Sequence, residues 1–216
     1  ISIDIATGVY ADSGVLSNIA VKSAQTITFE SPKLGHFLSN GYSHTGELFI
    51  YSIGHKKNNK KSTRLIEAKD IFKIIKPRNI QSNKYLKGKI LSLTGSINYT
   101  GASLLSGAAC IKSGCGILKQ IYPLSLFKKM IKMKESIDLP MDDRENGYLT
   151  SGNFKEIQSL YEWPDSFLIG PGLSYEKKSR ELISKILSTY PGNCIIDATA
   201  LSVIDYPKDK FKKLPR

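Results

Sequence analysis

Arginine is scarce in this chain. Of its 31 basic residues, 26 are lysine and only 5 are arginine, and arginine supplies the bidentate recognition of phosphates and base edges. The net charge of +12 opens nucleic acid, anionic membrane and phosphorylated small molecules as partner classes, but without the side chain a nucleic-acid interface uses most. Long apolar runs are also missing. Nothing approaches the roughly 18 residues that span a bilayer, and no basic-then-apolar leader opens the chain, so a cytoplasmic protein with no membrane partner is expected. Three cysteines, Cys110, Cys115 and Cys194, form no CxxC pair, and His36, His44 and His55 have no metal-ligand companions at short spacing, which argues against a disulfide framework and a zinc site. The chain opens with Ile1 inside a strand-like run, ISIDI, and reads as a piece of a longer protein. With 41% hydrophobic and 23% charged residues over 216 positions, its composition is that of an ordinary globular protein with room for a core.

Short apolar, β-branched runs alternate with stretches of helical spacing, the pattern of an α/β protein with a mostly parallel sheet. Strands are expected at 1–5, 24–29, 47–53, 89–94, 116–122, 166–169 and 194–197. Helices are expected at 100–113, 125–134 and 175–188, with nothing comparable in the first fifty residues. The polar run HKKNNKKSTR marks a linker. The chain therefore divides into 1–55, a basic linker at 56–64, and a second domain from 65 to 216. After the linker, AKDIFKIIKP regains Ile and Phe and is expected to pack as a short helix that Pro77 ends.

In a doubly wound sheet, ligands lie beyond the carboxyl ends of the strands. Three junctions there carry small or acidic residues. In KILSLTGSINYTGASLL a strand runs into Gly95 and Ser96, and Gly101 and Ala102 open a helix. Such a turn admits a ligand to the backbone and offers free N–H groups to an anion, or else serves close helix-on-sheet packing. SFLIGPGLS ends a strand in Gly170, Pro171 and Gly172, a rigid bare turn suited to a flat ring or sugar phosphate, or simply a tight turn. CIIDATALSVI puts Asp197 at a strand end, where it holds a ribose hydroxyl or a metal-bound water, or caps the next helix.

Taken together, GS-x4-GA, SGCG, GPGL and DATAL resemble the ADP- or ATP-dependent NAD(P)H-hydrate dehydratases, a ribokinase-like family with the pattern HKG, GS, GA, SGAG, PE, GPGLG, DADAL. NKYLKG stands in for the first element and Glu135 for the acidic one. Upstream, IDIATGVYADSG, VKSAQTITFESPKLG and GELFIYSIG resemble the final third of the Rossmann-like NAD(P)H-hydrate epimerase domain, with its DIPSG, A-x-x-T-x-T-F-x-x-x-K-x-G and DIG. The resemblance implies the C-terminal part of the epimerase followed by the N-terminal part of the dehydratase. The two activities it implies repair NADH or NADPH that has added water across a ring double bond: an isomerase interconverts the epimers, and a hydro-lyase spends ADP or ATP to remove the water.

Carried over by position, Asp4 contacts the hydrated dinucleotide and Thr7 takes the place of a potassium-binding Ser. Ala102, Gly170 and Gly172 line the pocket for the hydrated nicotinamide nucleotide. The resemblance implies ADP or ATP and potassium, and it admits magnesium and a homo-oligomer. Its catalytic Asp, in a GTGD-like motif, falls beyond Arg216, so neither active site is complete within these residues and the stretch alone is expected to be inactive. The sequence departs from the pattern at Ala6 for Pro, Asn83 and Tyr85 in HKG, Ser174 for Gly, and Thr199 for Asp.

Three rivals remain. A ribokinase-like small-molecule kinase shares the sheet, though the epimerase-like segment speaks against it. A basic nucleic-acid-binding module lacks aromatic residues among its lysines. A degenerate interaction protein would keep the fold without the chemistry. Residues 56–89 carry a net charge of +10, leaving +2 for the rest, so the charge belongs to the linker region and no nucleic-acid partner is expected.

Overall fold

The computed structural model describes residues 1–54, 63, 65–75, 77, 80–129 and 133–204. The basic linker expected at 56–64 lies, except for residue 63, outside the described residues. The protein is mixed α/β with two parallel sheets, and the chain divides into two compact units, 1–75 and 76–216. The short helix at Ala68–Ile74 thus falls in the first unit, not at the opening of the second. It forms where its pattern and the coming Pro77 predict, but none of its residues is buried, so the expected packing is absent.

The first unit is a three-stranded sheet ordered β1 (Ser2–Ile3), β2 (Gln25–Phe29), β3 (Glu47–Tyr51). Ile3, Ile27 and Phe49 lie side by side in register. Strand period two then sets Thr26 and Thr28 on the opposite face. Those two threonines are fully buried, while Ile3 is exposed. Thr26 stays buried because its hydroxyl donates to the Thr45 carbonyl at 2.6 Å, at the end of a single helical turn, α1 (Gly41–Thr45). As expected, no longer helix occurs in the first fifty residues.

The second unit is a five-stranded sheet, all parallel, in the order β6 (Ile137–Met141), β5 (Ile117–Pro123), β4 (Lys89–Leu93), β7 (Ser166–Ile169), β8 (Asn193–Ile196). The chain winds outward from β4 through β5 to β6, then returns to the other side of β4 for β7 and β8. The order therefore reverses between β4 and β7, which is where an open α/β sheet forms its crevice. Numbering helices in chain order, Ala68–Ile74 is α2, Thr100–Lys112 is α3, Leu124–Phe127 is α4, Phe154–Gln158 is α5 and Lys177–Thr189 is α6.

Alternation along the strands feeds two cores. Leu91, Leu93, Ile121, Phe167 and Ile169 pack with Leu182, Ile183 and Ile186 of α6 and Phe154 and Ile157 of α5. Leu118 and Leu168, on the other face, meet Cys110 of α3. Helix α6 spaces its apolar residues at i, i+1, i+4 and i+5, the stripe of a one-sided surface helix. Helix α3 instead sits close through small residues. A Cβ on Gly107 would come within 2.8 Å of the Gln120 amide, and that amide donates to the Ser103 carbonyl at 3.0 Å. Strand β6 and helix α5 were not foreseen. IDLPM carries a Pro and only three apolar residues, and Pro140 sits on an edge strand, the position in a sheet that admits proline.

Candidate functional site

The reversal point between β4 and β7 is built from the turns that follow those two strands. Gly95 N–H donates to the Pro171 carbonyl at 2.8 Å, and Gly170 N–H to the Leu93 carbonyl at 3.2 Å. The Ser96 hydroxyl donates to the Gly172 carbonyl at 2.9 Å. Two junctions read separately in the sequence are thus one structure, a pair of interlocked turns at the mouth of the crevice. Gly172 has φ 69° and sits so close to the start of α3 that a Cβ would lie 2.4 Å from the Ala102 Cβ and 3.0 Å from the Tyr99 carbonyl oxygen. Only glycine combines that backbone with that approach. The structure brings Gly172 against Ala102 in the first turn of α3, with Gly170 two residues away in the same turn.

The third junction joins them. Gly170 lies against Asp197, where a Cβ would meet the Asp197 carbonyl oxygen at 1.8 Å. Asp197 itself is exposed, and its side chain makes no cap bond to the 3-10 turn Ala198–Val203. The capping alternative is therefore absent, and the carboxylate stands open at the strand end. Thr199, which departs from the family pattern, is 3% exposed and donates its hydroxyl to the Leu173 carbonyl at 2.8 Å, tying the turn after β8 to the turn after β7. Two other departures have local roles. The Asn83 side chain accepts the N–H groups of Tyr85 and Leu86 at 3.0 and 3.2 Å, and the Ser174 hydroxyl accepts that of Glu176 at 3.2 Å. Glu135 lies exposed in the turn at the amino end of β6, the sheet edge opposite the crevice.

Asp143, in the loop after β6, was not singled out in the sequence. It is 4% exposed and accepts the Ser125 N–H at 3.1 Å, the Ser125 hydroxyl at 2.7 Å and the Gly147 N–H at 2.7 Å. Burial alone would raise its carboxyl, but these donors outweigh it and hold the group below the usual carboxylate range. The loop it fixes reaches the crevice: Ile97 N–H donates to the Gly147 carbonyl at 2.8 Å. DDRENG reads as a polar turn, and nothing in its pattern separates the buried Asp143 from its exposed neighbour Asp142.

In the first unit, Asp4 stands just after β1 with φ 66°. Its Oδ1 accepts from Lys33 Nζ and, at 2.9 Å, from the Thr28 hydroxyl. The Lys33 ammonium holds the Asp4 carboxyl below the usual carboxylate range. Nearly half of that side chain, 45%, remains exposed. His36, 1% exposed, places Nε2 at 2.9 Å from the Asp4 carbonyl and takes the Lys33 N–H on Nδ1 at 3.1 Å. Thr7, three residues on, is exposed. One hydroxyl is one of the several oxygen donors a hard cation requires.

Two glycine turns are thus locked together at the reversal point of a parallel α/β sheet, the place where open α/β sheets take their ligands. A family model described as NAD(P)H-hydrate dehydratase matches residues 90–215, and the chain belongs to that family. Among curated proteins, the bifunctional NAD(P)H-hydrate repair enzyme of Thermofilum pendens is 29% identical over 94% of this chain and 39% of its own length. That of Escherichia coli is 22% identical over 97% of this chain and 39% of its own. The chain thus spans about two fifths of the relatives it matches. Among solved structures, an ADP/ATP-dependent NAD(P)H-hydrate dehydratase from Bacillus subtilis, co-crystallised with ATP and magnesium, is 27% identical with a TM-score of 0.47, covering 62% of this chain and 45% of that one. A ribokinase-like superfamily protein from Enterococcus faecalis is 24% identical with a TM-score of 0.48, covering 60% and 43%.

Proposed function

We propose that this chain serves in the repair of hydrated NADH and NADPH, with its second unit contributing the substrate side of an ADP- or ATP-dependent dehydratase and its first unit part of an epimerase. The observation that carries the reading is the interlocked pair of turns at the reversal of strand order, in a chain whose residues 90–215 match the dehydratase family. In that reading the bare backbone of Gly170 and Gly172 and the small side chain of Ala102 offer the surface on which the hydrated nicotinamide ring lies, and close packing behind the two glycines holds that backbone in place. Asp197, open at the neighbouring strand end, reaches toward ribose hydroxyls. The nucleotide supplies the phosphate that drives loss of water, with magnesium as its companion.

The epimerase half rests on Asp4, whose carboxylate is ionised, oriented and half open to solvent, as a contact to a dinucleotide requires. Relatives named as bifunctional repair enzymes align across both units, which supports a protein carrying both activities; its site for potassium would include Thr7 among other donors. The same relatives are metabolic enzymes, which supports a cytoplasmic location, and a homo-oligomer belongs to the same reading.

The test is an assay of the full-length parent protein with hydrated NADPH and ADP or ATP. Return of reduced-nicotinamide absorbance that depends on the nucleotide supports the reading. Phosphate transfer to an alcohol with no return of absorbance would favour a ribokinase-like small-molecule kinase instead.

A further inference from the structure

Asp4 has φ 66°, in the left-handed region that strains a residue bearing a Cβ. Such strain persists only when neighbours over-determine it. Four bonds hold its main chain and side chain, one of them from the Thr28 hydroxyl to Oδ1 at 2.9 Å. Asp4 N–H donates to the Ile27 carbonyl at 2.6 Å. The Asp4 carbonyl lies 2.9 Å from His36 Nε2. On the carboxylate, Lys33 Nζ is shared between Oδ1 of Asp4 and the Thr28 hydroxyl, the latter at 2.9 Å.

The state of His36 follows from its partners. Lys33 N–H can only donate, so Nδ1 accepts and carries no proton, and Nε2 bears the hydrogen that it gives to the Asp4 carbonyl. Burial favours the neutral ring, pushing its titration downward. One imidazole thus links the main chain of Lys33 to the main chain of Asp4, and the Lys33 side chain returns to the Asp4 carboxylate. The loop Ser31–Phe37 and the turn after β1 are fastened by a closed circuit.

We propose that His36 is a positioning residue for the first unit's ligand site: it locks the left-handed main chain of Asp4 and the root of Lys33 together, and so fixes where the Asp4 carboxylate points. The inference deepens the reading of Asp4 as a contact to the hydrated dinucleotide and rests on it for its catalytic consequence. Its structural part stands apart from that reading.

Two measurements separate the parts. Amide hydrogen exchange at Asp4, whose N–H is held by Ile27, is expected to speed up by roughly tenfold or more in His36→Leu. It should stay near wild type in His36→Gln, whose amide can donate to the Asp4 carbonyl and accept from Lys33 N–H. Unchanged exchange in a folded His36→Leu protein, or equal damage from Gln and Leu, overturns the positioning role. The second measurement is epimerisation of hydrated NADPH by the full-length parent protein, since this stretch alone is expected to be inactive. His36→Leu and Lys33→Met are expected to lower kcat/KM by roughly tenfold or more, since small misplacements of a contact group are costly, with His36→Gln within about twofold of wild type. If His36→Leu proves unable to fold, His36→Asn, whose amide is too short to span both main chains, carries both measurements, with the same faster exchange and lower kcat/KM expected. Loss of activity in Lys33→Met and His36→Leu with no loss in Asp4→Asn would sink the reading of Asp4 as a substrate contact while leaving the exchange result to decide the positioning role.

Discussion

Replacing Gly172 by Ala tests whether the two turns at the reversal point are as tightly locked as their hydrogen bonds suggest. The new Cβ would enter 2.4 Å from the Ala102 Cβ and 3.0 Å from the Tyr99 carbonyl oxygen, at φ 69°. Left-handed backbone costs an alanine about 1 to 2 kcal/mol, and forcing a methyl into filled space adds about 1 to 3 kcal/mol. The expected loss is therefore about 2 to 5 kcal/mol, a large part of a domain's stability. Urea denaturation followed by circular dichroism measures it, as a fall in midpoint at constant slope. Gly101→Ala is the internal control. Its Cβ would meet nothing within 4 Å, and it sits in α3, so the change should be neutral or stabilising by up to about 1 kcal/mol. Adding Ala102→Gly to Gly172→Ala removes the methyl that is struck and should restore part of the loss, a coupling visible in a double-mutant cycle. A Gly172→Ala protein within about 0.5 kcal/mol of wild type, or one indifferent to Ala102→Gly, would refute the reasoning.

Asp143→Asn keeps one acceptor oxygen for three donors and should cost about 1 to 3 kcal/mol in the same denaturation assay. Because the Asp143 carboxyl titrates below its ordinary value of 3.8 when folded, its contribution is complete above that value and is lost as pH falls through the lower folded one. The gap between wild type and Asp143→Asn should therefore narrow in acid, and a gap that widens there would contradict the assignment. Burial pushes the Cys194 thiol up to about 12, which leaves about one part in ten thousand as thiolate at pH 8. Mass-spectrometric mapping after alkylation should find Cys194 labelled far more slowly in the folded protein than in urea, and rapid labelling when folded would count against its raised thiol.

Much of the second unit was legible from its pattern. Strands 89–94, 116–122 and 166–169 are dense in Ile, Leu and Phe with a glycine at one or both ends, and the structure places them within a residue or so of those bounds. The three strand-end motifs were legible too, because glycine and small residues at such points answer a backbone need that composition cannot disguise. What the sequence concealed was pairing. Nothing local says that Gly95 bonds to Pro171, residues far apart in the chain that strand order makes neighbours. Strand β6 was hidden by its proline, and Asp143 by the polar turn around it. His36 was read only as a histidine without metal companions; its partner is a main-chain carbonyl at Asp4, which leaves no signature in residue types.

The central claim is that the crevice between β4 and β7 takes the hydrated nicotinamide nucleotide. Titrating hydrated NADPH into isotope-labelled protein and following backbone amide shifts tests it most directly. The account predicts saturable shifts concentrated at Gly95, Ser96, Ala102, Gly170 and Gly172, reduced by Ala102→Leu, which would fill the space at the first turn of α3. Shifts gathered instead at the open cleft of about 260 Å³ lined by Lys177, Arg180, Glu181, Ser184, Ser202 and Val203, or no shifts at saturating ligand, would contradict it.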